Sequence, residues 1–294
     1  MSKKTIVFGK NSQIGIEFSK LTYFRNDFIY FSSKTIFKGL SCNLLRYKDI
    51  SKIIKIIKPK NIIILSAYTD VDQAEKENDL CYNINAEAIK NICIASEKYK
   101  SNIIYISTDF VFEGKIKKAL NEKEICRPIN FYGYSKYLGE KIINQYSYKY
   151  LILRTSSVYS KYKKNFVTNI IQALINNKKI YVVNDQFNNP TPADLIAKVI
   201  LFILDSKFIF KKNVFHLSTN GFVNKYQISK FIRKKIIKLN PKLKLAKIFE
   251  KKSKDEVPRP VYSVLDCTLI QKKLDIKLSD WDEYLENFIN DYEF

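Results

Sequence analysis

Apolar positions follow two alternating periodicities along the first half of the chain. Short, wholly apolar runs rich in β-branched residues recur, and each is followed by apolar residues at helical spacing. The predicted strands are residues 5–8, 28–31, 61–65, 102–106 and 150–153, and the predicted helices are residues 14–21, 50–57, about 79–99 and 131–146. Because short, wholly apolar strands are typical of a parallel sheet covered on both faces, the pattern predicts a Rossmann-type, doubly wound α/β sheet.

The pattern loosens in the second half of the chain. Helices are predicted near residues 165–177, 193–205, 224–238 and 279–290, and strands near 180–183 and 213–217. We interpret this half as a smaller C-terminal α/β lobe for the substrate. The predicted division is a dinucleotide-binding domain over residues 1–157 and a substrate lobe over 158–294, with some chain crossing back to the sheet. Ligands of open α/β sheets bind beyond the carboxyl ends of the strands, so chemistry is expected there.

A glycine-bearing turn between the first strand and the first helix has the position of a dinucleotide-binding loop. Glycine lets the backbone approach a pyrophosphate, whose charge is stabilised at the helix N-terminus. Serine occupies the middle position of the G-x-x-G-x-x-G pattern. The expected cofactor contacts are Gly9, Asn11, Ser12, Gln13, Ile14 and Gly15. The alternative is an ordinary strand–helix turn that binds no ligand.

The end of the second strand bears on the choice of cofactor. The chain reads Ser32-Ser33-Lys34 there, without the Asp or Glu that binds both ribose hydroxyls in NAD sites. Ser33 and Lys34 would instead accept a 2′-phosphate. This favours NADPH, with NADH as the second choice, unless the segment is only a surface loop that carries a lysine.

Five Tyr-x-x-x-Lys pairs occur in this chain, so position has to select among them. On a helix the two side chains share a face, the lysine can lower the tyrosine pKa, and the tyrosine can protonate a carbonyl oxygen. Only Tyr132/Lys136 opens the helix between the fourth and fifth predicted strands, 24 residues after Thr108. Tyr137/Lys141 is rotated by about 140° on the same helix and is expected to pack on the sheet or face solvent.

Segments along nearly the whole chain resemble the dTDP-4-dehydrorhamnose reductase family of extended short-chain dehydrogenases. They are Gly9–Gly15, Ala67–Glu75, Ile106–Gly114, Tyr132–Lys136 with Gly139-Glu140, Leu153–Tyr159, Asn165-Phe166, Asn184–Thr191 and Arg259–Leu265. The resemblance implies reduction of a nucleotide-linked 4-keto-6-deoxy sugar by NADPH or NADH. It also implies a role in dTDP-L-rhamnose and polysaccharide biosynthesis.

Matching positions within that resemblance imply roles for individual residues. The catalytic set would be Thr108, Tyr132 and Lys136. Further cofactor contacts would be Ser66, Ala67 and Tyr68. Substrate contacts would be Asp109 and Gln186 near the sugar, Asn165 and Arg259 near the phosphates, and Ser157. Ser157 departs from the family, which usually has a tryptophan lining the sugar site at that position.

Composition and charge narrow the possible partners. The formal net charge of +22 comes from lysines spread along the whole chain, which is typical of a solvated surface, so we do not expect nucleic-acid binding. Five scattered cysteines and a single histidine predict neither a metal site nor a disulfide framework. No long apolar run or signal-peptide pattern is found, so we expect a cytoplasmic protein without a membrane partner. The oligomer that we expect, if one forms, is a homodimer.

Two other functions remain open. A nucleotide-sugar epimerase shares this fold and catalytic set, but it retains NAD, and the missing acid after the second strand disfavours NAD. A non-catalytic NADP-binding regulatory subunit, such as the beta subunit of methionine adenosyltransferase, resembles the same family. The presence of Thr108, Tyr132 and Lys136 argues against lost chemistry.

Overall fold

The computed structural model describes residues 4–176, 179–254 and 256–293. Its strands are β1 Thr5–Phe8, β2 Phe28–Phe31, β3 Ile36–Phe37, β4 Leu40–Ser41, β5 Asn61–Ile64, β6 Asn102–Thr108, β7 Lys149–Thr155, β8 Val158–Tyr159, β9 Ile180–Val183, β10 Phe187–Asn188, β11 Thr191–Pro192, β12 Lys212–His216, β13 Val223–Asn224 and β14 Ile248–Lys251. Its helices are α1 Gln13–Leu21, α2 Tyr47–Ile57, α3 Val71–Lys76, α4 Asn78–Tyr82, α5 Ala88–Glu97, α6 Phe131–Tyr146, α7 Phe166–Ile175, α8 Ala193–Asp205, α9 Lys225–Leu239, α10 Thr268–Leu274 and α11 Trp281–Asn290.

Six strands form one parallel sheet in the order β12-β7-β6-β5-β1-β2. The chain leaves β1 for β2 on one side and then returns to the other side of β1 with β5. The strand order therefore reverses beside β1, which is where open α/β sheets bind their ligands. The predicted doubly wound, Rossmann-type sheet is confirmed.

The sheet is apolar on both faces because helices cover both. In β1, Ile6 and Phe8 pack into the core formed with α2, α5 and α6, whereas Val7 packs into the core formed with α1, α8 and α10. All three side chains are 1% exposed or less. A strand buried on both faces has no solvent side, so its sequence shows no polar alternation.

The C-terminal half contributes to two regions of the molecule. Strand β12 pairs with β7 at the edge of the main sheet, and α8 packs against α1. Helices α7, α9 and α11 enclose a separate core with β9. Within the described residues, no helix combines the length and apolar character that crossing a membrane requires.

The helix predicted over about 79–99 is confirmed, because residues 78–97 are helical throughout, but a π-helical turn in its middle was not predicted. The chain forms α3, α4, a wide π-type turn over Asn83–Glu87, and then α5. Within that turn, the Asn85 side chain accepts from the Tyr68 amide at 2.9 Å and donates to the Tyr68 carbonyl at 3.0 Å. The interruption thus lets a helical side chain hold the loop after β5, and such turns are often found at functional sites.

A buried ion pair joins α6 to the adjacent strands β6 and β7. Arg154 of β7 donates to both oxygens of the Glu140 carboxylate, at 2.9 and 2.7 Å. Ser107 of β6 donates to the same carboxylate at 2.6 Å. The two charged side chains are only 7% and 6% exposed. Since Lys136 lies one turn before Glu140, this contact fixes the start of α6 relative to the strand ends.

We predict that Glu140→Ala lowers the free energy of unfolding by about 3–5 kcal/mol, because it leaves the Arg154 charge buried without its partner. Urea unfolding followed by circular dichroism measures the loss. The matched control is Glu124→Ala, which removes a surface pair with Lys118 and should cost less than about 1 kcal/mol. Equal losses in the two variants would contradict the structural role given to Glu140.

Candidate active site

A cleft of about 810 Å³ lies at the carboxyl ends of the central strands. The glycine turn, the end of β2, the loop after β5 and the end of β6 form one part of its wall. The first turn of α6 and residues between 155 and 166 form the rest. The cleft therefore lies between the main sheet and the segment that leads into the C-terminal lobe.

The glycine turn packs tightly against the neighbouring strand. Gly9 has φ +98°, and a Cβ on it would lie 2.6 Å from the Ser66 amide nitrogen. A Cβ on Gly15 would collide with the Gly9 carbonyl oxygen. Ser12 has φ −73° and accepts a hydrogen bond from the Gly15 amide at 3.0 Å. The middle position therefore works as a helix N-cap and does not need glycine.

The remaining residues of this turn point to a phosphate ligand. Asn11, Ser12, Gln13 and Ile14 line the cleft at the N-terminus of α1. A helix N-terminus stabilises an anion, and the tight turn allows close approach of its backbone. The local structure therefore fits the pyrophosphate of a dinucleotide.

Serine side chains, rather than an acid, line the cleft at the end of β2. Ser33 is in the wall, and Lys34 is exposed in the same turn outside the wall. Residues 42–45, which follow the β3–β4 hairpin, form the adjoining wall. Sequence reasoning missed these residues because no motif marks them.

The loop after β5 contributes Ser66 and Ala67 to the wall. Tyr68 lies beside the cleft but not in its wall, because its hydroxyl donates to Glu77 at 2.7 Å. Its main chain is the part that Asn85 holds. Of the three cofactor contacts expected in this loop, Ser66 and Ala67 therefore line the cleft and Tyr68 does not.

Thr108, Tyr132 and Lys136 line the same cleft. Thr108 ends β6, and the Asn130 side chain caps α6 by accepting from the Gly133 amide at 2.8 Å, so Tyr132 lies in the first helical turn. Lys136 is 2% exposed. The start of the helix thus brings the tyrosine and the lysine into the cleft that Thr108 also lines.

Burial shifts the pKa values of Tyr132 and Lys136 in the directions that favour their uncharged forms. Burial raises the pKa of Tyr132, and the Thr108 side chain partly opposes this by hydrogen bonding. Burial lowers the pKa of Lys136 to about 7, opposed by the Glu140 charge. The expected lowering of the Tyr132 pKa by Lys136 is therefore not found. Lys136 instead donates to the Ile106 carbonyl at 2.7 Å.

Asp109 is buried behind the threonine. Its carboxylate accepts from the hydroxyls of Thr108 at 3.1 Å, Ser156 at 2.8 Å and Ser263. Burial raises the pKa of Asp109 to about 6, although the three hydroxyl donors oppose the rise. The side chain lies at the cleft, as expected, but its contacts orient Thr108. The sequence carried no signal for Ser156 and Ser263 in this role.

Ser157 and Asn165 lie in the cleft wall, as the resemblance implied. Ser157 has φ +44°, a conformation that non-glycine residues adopt mainly where surrounding structure imposes it, often at functional sites. Its side chain is exposed in the cleft wall, at the position where the resemblance led us to expect a tryptophan. Asn165 caps α7 and donates to the Gln13 side chain at 3.0 Å.

Gln186 and Arg259 are not part of the cleft wall. Gln186 is buried and donates to Ser253 at 3.0 Å. Arg259 forms an ion pair with Asp72 at 3.0 Å. In this structure, neither of these two expected substrate contacts lies with Ser157 and Asn165.

The competing tyrosine pair faces elsewhere, as the helical rotation predicts. Tyr137 is partly buried against the hydrophobic core, and the Lys141 ammonium lies 5.1 Å from the centre of its ring. A more open groove of about 900 Å³ on the C-terminal lobe, beside Trp281, contains none of the predicted site residues. The cleft at the sheet edge is therefore the candidate active site.

The raised pKa of Asp109 predicts a pH-dependent effect on stability. Because the pKa in the folded state is above its ordinary value, the contribution of Asp109 is fully present at acid pH and is lost as the pH rises through about 6. Asp109→Asn cannot ionise. The free energy of unfolding of Asp109→Asn should therefore rise, relative to that of the wild type, by about 2–3 kcal/mol between about pH 4 and pH 7.

Urea unfolding of both proteins over this pH range measures the difference. Asp205→Asn, which removes a 48% exposed carboxylate paired with Arg25, controls for the loss of a carboxylate at the surface. A constant difference between Asp109→Asn and the wild type at every pH would contradict the burial of an ionisable Asp109.

Comparisons with known proteins identify the family to which this chain belongs. A family model described as the RmlD substrate binding domain matches residues 3–294. A dTDP-4-dehydrorhamnose reductase of Aggregatibacter actinomycetemcomitans is 32% identical over 80% of this chain and 82% of that protein. The Escherichia coli K12 enzyme of the same name is 28% identical over 97% of each chain.

Solved structures extend the likeness to the whole fold. The Bacillus anthracis dTDP-4-dehydrorhamnose reductase in complex with NADP has a TM-score of 0.88 and 30% identity, and the match covers 99% of this chain and 100% of that one. A Thermotoga maritima UDP-glucose 4-epimerase has a TM-score of 0.80 with 18% identity, over 98% and 97% of the two chains, and thus shares the fold alone. Sequence, fold and cleft agree, and the chain belongs to the dTDP-4-dehydrorhamnose reductase family.

Proposed function

We propose that this protein reduces the C4 carbonyl of a dTDP-linked 4-keto-6-deoxy sugar with NADPH. The observation that carries the proposal is the meeting of Thr108, Tyr132 and Lys136 in one cleft, beside a turn suited to a dinucleotide pyrophosphate. Relatives named dTDP-4-dehydrorhamnose reductase, and one such structure in complex with NADP, support it.

The cofactor would lie along the carboxyl edge of the sheet. The Gly9–Gly15 turn would hold its pyrophosphate, and Ser33 with Lys34 would meet a 2′-phosphate. Ser66 and Ala67 would border it on the β5 side. We assign residues 1–157 to cofactor binding and 158–294 to the nucleotide sugar, with α8 and β12 returning to the first region.

When bound, the reduced nicotinamide supplies a hydride to the carbonyl carbon. Tyr132, whose pKa is raised by burial, holds its proton at neutral pH and donates it to the carbonyl oxygen. Thr108, which Asp109 orients, holds the same oxygen. Lys136 stabilises the developing tyrosinate when it is protonated and binds the nicotinamide ribose.

The epimerase alternative has weaker support. No carboxylate follows β2 to hold the ribose hydroxyls of NAD, since the residues there are Ser32, Ser33 and Lys34. The epimerase structure shares only the fold with this chain. A regulatory subunit without activity would not need the three catalytic side chains together in the cleft.

We further propose a cytoplasmic enzyme whose partner is its nucleotide-sugar substrate. A homodimer is the assembly that we propose, and we assign no nucleic-acid or membrane partner. The basic residues are spread over the sequence, which fits a solvated surface.

Cofactor oxidation tests the function and identifies the tyrosine that acts. Wild-type protein should oxidise NADPH, followed by its absorbance, only when dTDP-4-dehydrorhamnose is present. Tyr132→Phe keeps the ring and removes the proton, so kcat should fall by about 10²–10⁴-fold, with NADPH affinity retained. Tyr137→Phe, one and a half turns along the same helix, should change kcat by less than about twofold.

Two outcomes would count against these assignments. No turnover with any nucleotide-linked keto sugar would overturn the proposed activity. A large loss in Tyr137→Phe with little loss in Tyr132→Phe would overturn the placement of the active site while leaving the family unchanged.

A further inference from the structure

Four charged side chains line the cleft within the described residues: Asp109, Lys136, Lys163 and Lys164. Asp109 and Lys136 are buried at the cleft floor and are each 2% exposed. Burial raises the pKa of Asp109 and lowers that of Lys136, and both shifts favour the uncharged form. Lys163 and Lys164 are exposed. The positive charge that a ligand meets on entering the cleft therefore comes from this lysine pair.

The two residues first expected at the substrate phosphates are engaged elsewhere. Arg259 lies outside the cleft wall and makes a forked contact with Asp72, at 3.0 and 3.1 Å. The Asn165 amide donates to Gln13, to the Ser160 carbonyl at 2.6 Å and to the Lys163 carbonyl at 2.8 Å. Asn165 thus holds the loop, and the charge needed to bind phosphate comes from other residues.

The loop that carries the lysines is anchored at both ends. At its start, Ser160 donates to the Gln13 side chain at 3.0 Å, and Gln13 donates to the Val158 carbonyl at 3.3 Å. At its end, Asn165 and Thr168 form a reciprocal capping box at the N-terminus of α7. The lysine pair is therefore held at the cleft by main-chain and amide contacts that do not involve the ammonium groups.

We propose that Lys163 and Lys164 bind the diphosphate of the nucleotide-sugar substrate, an inference that rests on the proposed function. The cofactor pyrophosphate has its own site at the N-terminus of α1, on the sheet side of the cleft. The lysines come from the segment that leads into the C-terminal lobe, on the other side. Lysine ammonium groups bind phosphate as mobile point charges and make the affinity dependent on salt.

Titration calorimetry with dTDP and with NADPH tests this assignment without requiring turnover. The Lys163→Ala/Lys164→Ala double variant should bind dTDP at least about tenfold more weakly than wild type, and the salt dependence of its dTDP affinity should be shallower. Its Kd for NADPH should change by less than about threefold. The matched control is Lys161→Ala, which removes an exposed lysine of the same loop that lies outside the cleft wall.

The arms of the experiment separate the possible sources of phosphate. Weaker NADPH binding with unchanged dTDP binding would overturn the assignment to the substrate, and so would equal weakening of both ligands. If Lys161→Ala weakened dTDP binding equally, the effect would be one of general surface charge, and the assignment would be wrong. If the wild type binds neither dTDP nor UDP, the proposed site for the substrate diphosphate does not exist. If wild type reduces the keto sugar while the double variant keeps its dTDP affinity, only this inference fails.

Discussion

The carboxylate of Glu140 is buried between α6 and the adjacent strands β6 and β7, where it accepts hydrogen bonds from Ser107 and Arg154. A carboxylate in that position is stable only if its charge is balanced and its oxygens are hydrogen-bonded. Arg154 supplies the charge from β7, and Ser107 supplies a further donor from β6. The start of α6 is consequently held at the strand ends, and the rest of the site depends on this.

The low-polarity environment of the cleft floor has the same effect on three different groups. Burial raises the pKa of Asp109, raises that of Tyr132 and lowers that of Lys136, so each is shifted toward its neutral form. Tyr132 is therefore in its protonated form at neutral pH, which is the form that a proton donor to the substrate carbonyl requires. Lys163 and Lys164, by contrast, are exposed side chains of the cleft wall, so the proposed binding of the substrate diphosphate and the chemistry at its sugar involve different residues.

The sequence was most informative where local pattern and tertiary role coincide. Helix α6 and strands β1 and β2 were predicted to the residue, because a strand buried on both faces and a capped helix each leave a clear pattern. The roles of Ser156 and Ser263 could not be predicted, because they depend on which hydroxyls the fold brings to Asp109. The wide turn at Asn85 was missed because its cause is a contact with the main chain of Tyr68, seventeen residues earlier.

The most direct test of this account is the fate of hydrogen during turnover. NADPH carrying deuterium at both C4 positions of the nicotinamide would be incubated with the wild-type protein and dTDP-4-dehydrorhamnose, and the sugar product analysed by nuclear magnetic resonance. A reductase should place one deuterium on C4 of the sugar, with one NADP formed for each product molecule. Product without deuterium, or a rearranged sugar formed without net cofactor oxidation, would contradict it.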